Sequence, residues 1–237
     1  MPKLKVSRFQ QEPSCCAVSA CALMGNYWDV DIDYKYTKVT TLKYISKKVD
    51  EEGLDSGQMC RLLNRLGFRK VTLFTSDLRM VDFSWRHYKR KKIIEMMKEL
   101  LKKKKDTDYN SDIRSVVKWL SDFNYNNQLV ITYDFGRHIR ESISKNRPVM
   151  LSFNWTKFFK YCKVNDGSLD PYNVEEEVHA VAAYGYDKRG VNICDSHHEY
   201  YKYKLKKYRK GFYKISWENL MTVIGPGDVY AADDYIG

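Results

Sequence analysis

Between Cys16 and Trp28 the chain carries Ala17, Val18, Ala20, Cys21, Ala22, Leu23 and Met24 with almost no polar interruption. A helix that is apolar nearly all round has no face to offer to water, so other elements must enclose it. Pro13 and Ser14 just upstream suit a loop feeding the helix start. An enclosed helix so close to the N-terminus needs cover from both halves of the chain. One domain with two lobes satisfies that better than two independent domains, and 237 residues suffice for such a core.

The patterns downstream are helical first and extended last. Val39–Glu51 has a weak helical pattern. Gly57–Leu66 has a clearer one, with Met59, Leu62, Leu63 and Leu66 on one face and Gly67 as the stop. Lys70–Thr75 alternates as a short strand. Lys89–Lys105 places Ile93, Ile94, Met96, Met97, Leu100 and Leu101 on one side of a helix, and Ile113–Phe123 is amphipathic. Strands are expected at Leu129–Tyr133, Val149–Asn154, Val178–Tyr186, Gly190–Asp195, Tyr200–Tyr208 and near Val229, with short helices at Ile139–Lys145 and Ser216–Met221. This order predicts an α+β fold with helices on one side of an antiparallel sheet.

The formal net charge of +11 is concentrated in two places. Trp85–Lys105 holds ten Lys/Arg against Glu95 and Glu99, and Lys202–Lys210 holds six with no acid. A solvated face is the ordinary reading of the helix at 89–105. An acidic protein partner, nucleic acid or an anionic membrane surface would also suit it. The Tyr/Lys alternation of 200–210 suits a half-buried edge strand guarded by lysines, or base stacking. No run approaches eighteen apolar residues, which argues against a membrane-spanning helix. The first fifteen residues carry Lys3, Lys5, Arg8 and Glu12 without an apolar stretch, so the expected setting is cytoplasmic. The six cysteines are then free thiols, and the lack of a CxxC pair argues against a structural zinc site. No cofactor or metal is expected.

The chemistry turns on whether a cysteine can be activated. A helix N-terminus and a neighbouring imidazole both lower a thiol's pKa, and Cys15 and Cys16 stand where the first helix begins. His179 starts one expected strand and Asp195 ends the next, across the turn Asp187-Lys188-Arg189-Gly190. Antiparallel pairing would bring these far ends together, so that Asp195 holds the imidazole in one tautomer. Gln10, six residues before Cys16, can donate to an oxyanion beside the Cys16 backbone N–H. Cys21, Cys60, Cys162 and Cys194 read as core thiols. His197-His198 reads as a solvent-facing loop, and His87 and His138 as surface side chains.

The run Gln10-Gln11-Glu12-Pro13-Ser14-Cys15-Cys16-Ala17-Val18-Ser19-Ala20 resembles the Gln…Cys-Gly-Pro-Ala-Ser motif of papain-like cysteine peptidases. The most similar subgroup is the bacteriocin-leader peptidases and their stand-alone relatives. His179-Ala180-Val181, Gly185-Tyr186-Asp187 and Asp195 resemble that group's His-containing segment, and Phe212-Tyr213-Lys214-Ile215-Ser216-Trp217 its ending. Phytochelatin-synthase-like enzymes share the flavour of the first motif. The resemblance covers roughly residues 6–75 and 135–232. It implies a papain-like two-lobed fold: a helical lobe at about 1–76, a basic helical insertion at about 77–127 and an antiparallel β lobe at about 128–237. It also implies a peptide or protein substrate. Alignment on Cys16 puts Gln10 and Asn26-Tyr27 at the family's spacing, while alignment on Cys15 makes Cys15 the nucleophile. The family's Gly after the nucleophile is Ala17 in the first register and Cys16 in the second, and Val178 stands where a Gly is usual.

The leading reading is therefore a cysteine hydrolase acting on a peptide or amide bond, with Cys16, His179, Asp195 and Gln10 as its machinery. The same site would act as a transferase if an amine or thiol replaced water. A non-catalytic peptide-binding module and a basic nucleic-acid-binding protein are the alternatives. A thiol-reactive probe separates the first of these from an enzyme, and a steep salt dependence of polyanion binding would mark the second.

Overall fold

The computed structural model of the chain describes residues 2–104, 109–158, 164–165, 168–169, 178–197, 211–224 and 227–236. The apolar N-terminal stretch forms α1 (Cys16–Trp28), buried from Ala17 through Gly25. Next come α2 (Tyr34–Tyr44), α3 (Val49–Glu52), α4 (Ser56–Arg65), β1 (Phe68–Thr75), a 3-10 turn (Phe83–His87), α5 (Arg90–Lys103) and α6 (Tyr109–Leu120). Then come β2 (Gln128–Ile131), α7 (Phe135–Ser144), β3 (Val149–Asn154) and α8 (Trp155–Phe158). A small antiparallel pair, β4 (Val164–Asn165) and β5 (Ser168–Leu169), stands apart from the main sheet. β6 (Val178–Tyr186), β7 (Gly190–Cys194), β8 (Phe212–Ser216), α9 (Trp217–Val223) and β9 (Asp228–Tyr235) follow.

The main sheet has seven strands in the order β2-β1-β9-β3-β6-β7-β8. It is antiparallel except for the parallel β1–β2 pair. The last strand, β9, lies between β1 and β3 and joins the helix-rich first part of the chain to the strand-rich second part. The class is α+β, but the helices are not confined to one side of the sheet. Met150 and Tyr230 pack into the core formed with α1, α4, α5 and α6. Their strand neighbours Val149, Leu151, Val229 and Ala231 pack into a second core with α7 and α9. Successive side chains point to opposite faces of a strand, so both faces are covered. All six residues of β3, the polar Ser152 and Asn154 included, are accordingly buried.

The weak pattern over Val39–Glu51 resolves into two helices, and the first begins earlier than expected. Asp33 caps α2, its carboxylate accepting from Tyr36 N–H at 2.7 Å. The buried face of α2 is Thr37, Thr40 and Thr41. The Thr37 and Thr41 hydroxyls donate back to the carbonyls of Asp33 and Thr37 at 2.8 Å each. Threonine methyls and local hydroxyl bonds thus replace the apolar stripe that periodicity would detect. His138 is not a free surface side chain either, since it stacks on Phe74 at 4.2 Å between ring centroids. The expected strand Tyr200–Tyr208, Cys162, His198 and Lys105 lie outside the described residues.

The described part of segment 77–127 is mostly helical and adds no strand to the sheet. Ile93, Ile94 and Met97 are buried, while Leu100 and Leu101 pack partly buried against the same core. Several of its cations have local partners. Lys92 pairs with Glu95 and Lys102 with Glu99, and Lys104 donates to the Arg79 carbonyl at 2.7 Å. Arg90 donates to the carbonyls of Leu120, Asp122 and Tyr125 at 2.6, 2.6 and 2.7 Å, and its guanidinium lies over the Phe123 ring. Those carbonyls belong to the last residue of α6 and the turn after it, where helix geometry leaves acceptors unsatisfied. Arg90→Ala should therefore lower stability by about 1.5–3 kcal/mol in urea denaturation, the range for hydrogen bonds to a charged group. An unchanged midpoint would contradict this role.

Candidate active site

Cys16 is the first residue of α1, and Cys15 is its N-cap. The first N–H groups of a helix lack intrahelical partners and favour negative charge. His179 is the second residue of β6 and sits opposite Phe153 of β3. Asp195 directly follows β7, whose last residue, Cys194, pairs with Ala182. This register brings the start of β6 beside the end of β7. His179 Nε2 is hydrogen-bonded to Asp195 Oδ1 at 2.9 Å, with the two side chains 3% and 1% exposed. The Cys16 thiol lies beside the same imidazole, near enough for each group to shift the other's ionisation.

Asp195 is held from several directions. Its Oδ1 also accepts from His197 N–H at 2.9 Å, and its Oδ2 accepts from Tyr213 OH at 2.8 Å. Burial alone would raise its pKa, but the His179 charge and these donors hold the carboxyl below its usual range. Burial would likewise lower the His179 pKa, yet the Asp195 charge and hydrogen bond, with a further contribution from Cys16, push it up. Burial would raise the Cys16 thiol. The hydrogen bond and charge of His179, with the backbone N–H groups of Ala180 and Ala17, outweigh that and bring it below the ordinary thiol value. The three shifts have a common sense: each favours the ionised form of its group.

Cys15 faces elsewhere. Its thiol is fully buried and donates to Asp50 Oδ1 at 3.3 Å, with Lys38 Nζ 3.5 Å from the sulfur. Lys38 also pairs with Glu12 and Asp50, and Tyr34 OH accepts from Glu12 N–H at 3.2 Å. Burial and the Asp50 hydrogen bond raise the Cys15 pKa. Neighbouring residues thus have opposite thiols, one lowered and one raised. Ligand atoms of Glu12, Cys15 and Asp50 lie within 4.8 Å of one another, a spacing a metal ion could use, but Lys38 already supplies the cation there.

Gln10 lies on the extended arm before α1. The arm is pinned by Ser19 Oγ donating to Phe9 O at 3.2 Å and by Gln11 N–H donating to Ser196 O at 3.3 Å. The Gln10 side chain is exposed and has no hydrogen bond among the described residues. His197 is not a solvent-facing loop residue. Its ring meets the His179 ring edge-on at 5.9 Å, and its backbone serves Asp195. Cys21, Cys60 and Cys194 are buried free thiols. Tyr213 and Arg8 reach Asp195, and Lys38 anchors the loop at Cys15, and no local motif in the sequence marks the role of any of the three. Tyr213 lies inside the closing motif, where a β-strand tyrosine opposite the end of β7 was the available signal.

With this geometry in view, comparison with known proteins adds the family. The model of the Peptidase_C39 like family matches residues 3–224, and the chain belongs to that family. Its function is accordingly of the cysteine-peptidase type, and the resemblance to cysteine peptidases carried by the motifs is borne out. A solved structure described as a double glycine motif protease from an AMS/PCAT transporter in complex with the leader peptide is similar over 98% of this chain and 95% of that one. Its identity is 12% and its TM-score 0.44. No curated protein matches the sequence. Among the described residues, no helix is long and apolar enough to cross a membrane.

The contrast between the two thiols is directly testable. At a pH below neutrality, iodoacetamide should label Cys16 and leave Cys15 intact, as read by peptide mass mapping. Cys15→Ser should keep that labelling and Cys16→Ser should remove it. The reverse pattern would assign the reactive thiol to Cys15.

Proposed function

We propose that this chain is a cysteine peptidase whose nucleophile is Cys16, with His179 as acid and base, Asp195 as its orienting carboxylate and Gln10 as an oxyanion donor. The observation that carries the reading is the buried His179–Asp195 hydrogen bond at 2.9 Å with the Cys16 thiol, at the N-terminus of α1, beside the same imidazole. The pKa directions of these groups favour a thiolate–imidazolium pair, the form in which cysteine is nucleophilic.

The thiolate of Cys16 attacks the scissile carbonyl carbon. Negative charge moves to the carbonyl oxygen, where the Cys16 backbone N–H and the Gln10 amide donate to it. Collapse of the tetrahedral species expels the amine, which takes a proton from imidazolium, and leaves a thioester on Cys16. His179, now neutral, removes a proton from water as the water attacks the thioester. The acid product leaves, the thiolate returns and the ring is again protonated. Throughout, Asp195 keeps one tautomer and one ring orientation, so the imidazole stays beside the sulfur. The substrate is a peptide or protein. The presence of all three groups supports turnover over a non-catalytic peptide-binding module.

Incubation with a peptide library, followed by mass spectrometry, tests the reading. Wild type should generate cleavage products that are absent with Cys16→Ala and with His179→Ala. Gln10→Ala should reduce kcat by about 10²–10³, the cost of one oxyanion donor. Products that persist in Cys16→Ala would overturn the proposal.

A further inference from the structure

The arm before α1 does more than lead to the nucleophile. Arg8 Nε donates to the carbonyl of Asp195 at 2.7 Å, and Arg8 Nη2 lies 3.3 Å from the carbonyl of Ser196. Three residues on, Gln11 N–H donates to the same Ser196 carbonyl at 3.3 Å, and Ser196 Oγ donates to Gln11 Oε1 at 2.7 Å. Asp195 needs such support because the ladder ends just before it. The last pairs of β7 are Cys194 with Ala182 on one side and Cys194 with Phe212 on the other. Beyond them, among the described residues, one backbone bond holds Asp195 to the neighbouring strand, its N–H donating to Gly211 O at 2.7 Å. The carbonyls of Asp195 and Ser196, in the next two peptides, are served by the Arg8 fork. A buried carboxylate that must hold an imidazole to a narrow geometry therefore sits on backbone clamped between Gly211 and Arg8.

The clamp leaves little room. Gly211 has φ +72°, the left-handed region, and a Cβ there would lie 2.2 Å from Arg8 Nε and 2.2 Å from Asp195 O. The guanidinium passes where any side chain at 211 would stand.

We propose that Arg8 is a positioning residue for the proposed peptidase site: by holding the Asp195 and Ser196 carbonyls it fixes the Asp195 carboxylate on His179 and couples it to the arm that carries Gln10 and leads to Cys16. This rests on the cysteine-peptidase reading. Arg8 touches no reacting atom and acts through Asp195. Both ends of the site are then held by one stretch of chain, Arg8–Glu12: Arg8 and Gln11 at the carboxylate end, and Glu12, through Lys38, at the base of the nucleophile loop. The planar guanidinium holds the two carbonyls from separate nitrogens in one fixed fork, whereas an ammonium would present all its donors from one rotatable atom and fix their directions less.

The test compares wild type with Arg8→Gln and Arg8→Lys in two assays. One is the pH profile of Cys16 alkylation by iodoacetamide, which needs no substrate. The other is peptide turnover, with enzyme concentration set by active-site titration. Misplacement of Asp195 loosens His179, so Arg8→Gln should move the alkylation midpoint to higher pH. It should also cut kcat by about tenfold to about 100-fold with KM unchanged. Arg8→Lys should recover part of both effects. A residue that only stabilised the fold would lower the melting temperature and leave the profile and kcat per active site where they were, and that result overturns the inference. If Arg8→Gln does not fold, Arg8→Lys decides by the same criteria. Wild type that alkylates at low pH and turns over, with variants identical to it, overturns Arg8 alone. Wild type that does neither overturns the peptidase reading and this inference with it.

Discussion

Helix α1 must be buried along its length and still leave its first residue, Cys16, partly exposed. That constraint shapes the surrounding architecture. Residues from Ala17 through Gly25 are enclosed by α2, α4 and one face of the sheet, where Ala180 and Met150 meet the helix. The small side chains Ala17, Ala20 and Cys21 let the helix approach strands β3 and β6 closely. Close approach along β6 in turn sets the helix N-terminus beside His179. The same packing that buries the helix therefore delivers the thiol to the imidazole.

The electrostatics follow from which side each neighbour takes. Cys16 turns toward His179 and the backbone of Ala180, where donors outweigh burial. Cys15 turns toward Asp50, where burial and a carboxylate acceptor keep the proton on sulfur. The loop between the two environments is anchored by Lys38, whose ammonium pairs with both Glu12 and Asp50. A single step along the chain thus separates a thiol suited to nucleophilic attack from one suited to structure. Beneath His179, Asp195 receives two further donors, the His197 N–H and the Tyr213 hydroxyl, so its charge is distributed over a network and not borne by one contact.

Elements with an unambiguous local pattern were legible from the sequence residue by residue: α1, β3 and β6 have the boundaries expected of them. Cys16, His179 and Asp195 were legible as a group because a hairpin turn at Asp187–Gly190 constrains where the two strand ends go, and the structure brings the three together. Less was legible where pairing is distant or polar groups do the packing. The parallel β1–β2 pair and the insertion of β9 between β1 and β3 depend on contacts far apart in sequence. Helix α2 buries threonines, which leaves no apolar stripe to count. The roles of Arg8 and Tyr213 depend on reaching Asp195 from positions 187 residues before and 18 after it, which no spacing rule encodes.

An ion pair between Cys16 and His179 at neutral pH is what the proposed chemistry depends on. The most direct measurement is the ultraviolet absorbance of thiolate as a function of pH, taken as the difference between wild type and Cys16→Ser and repeated in a His179→Ala background. The Cys16 thiolate should persist well below the free-thiol pKa of about 8.5 and titrate near that value once the imidazole is removed. A Cys16 signal that appears only near the free-thiol value in the wild-type protein, unaltered by His179→Ala, would contradict it.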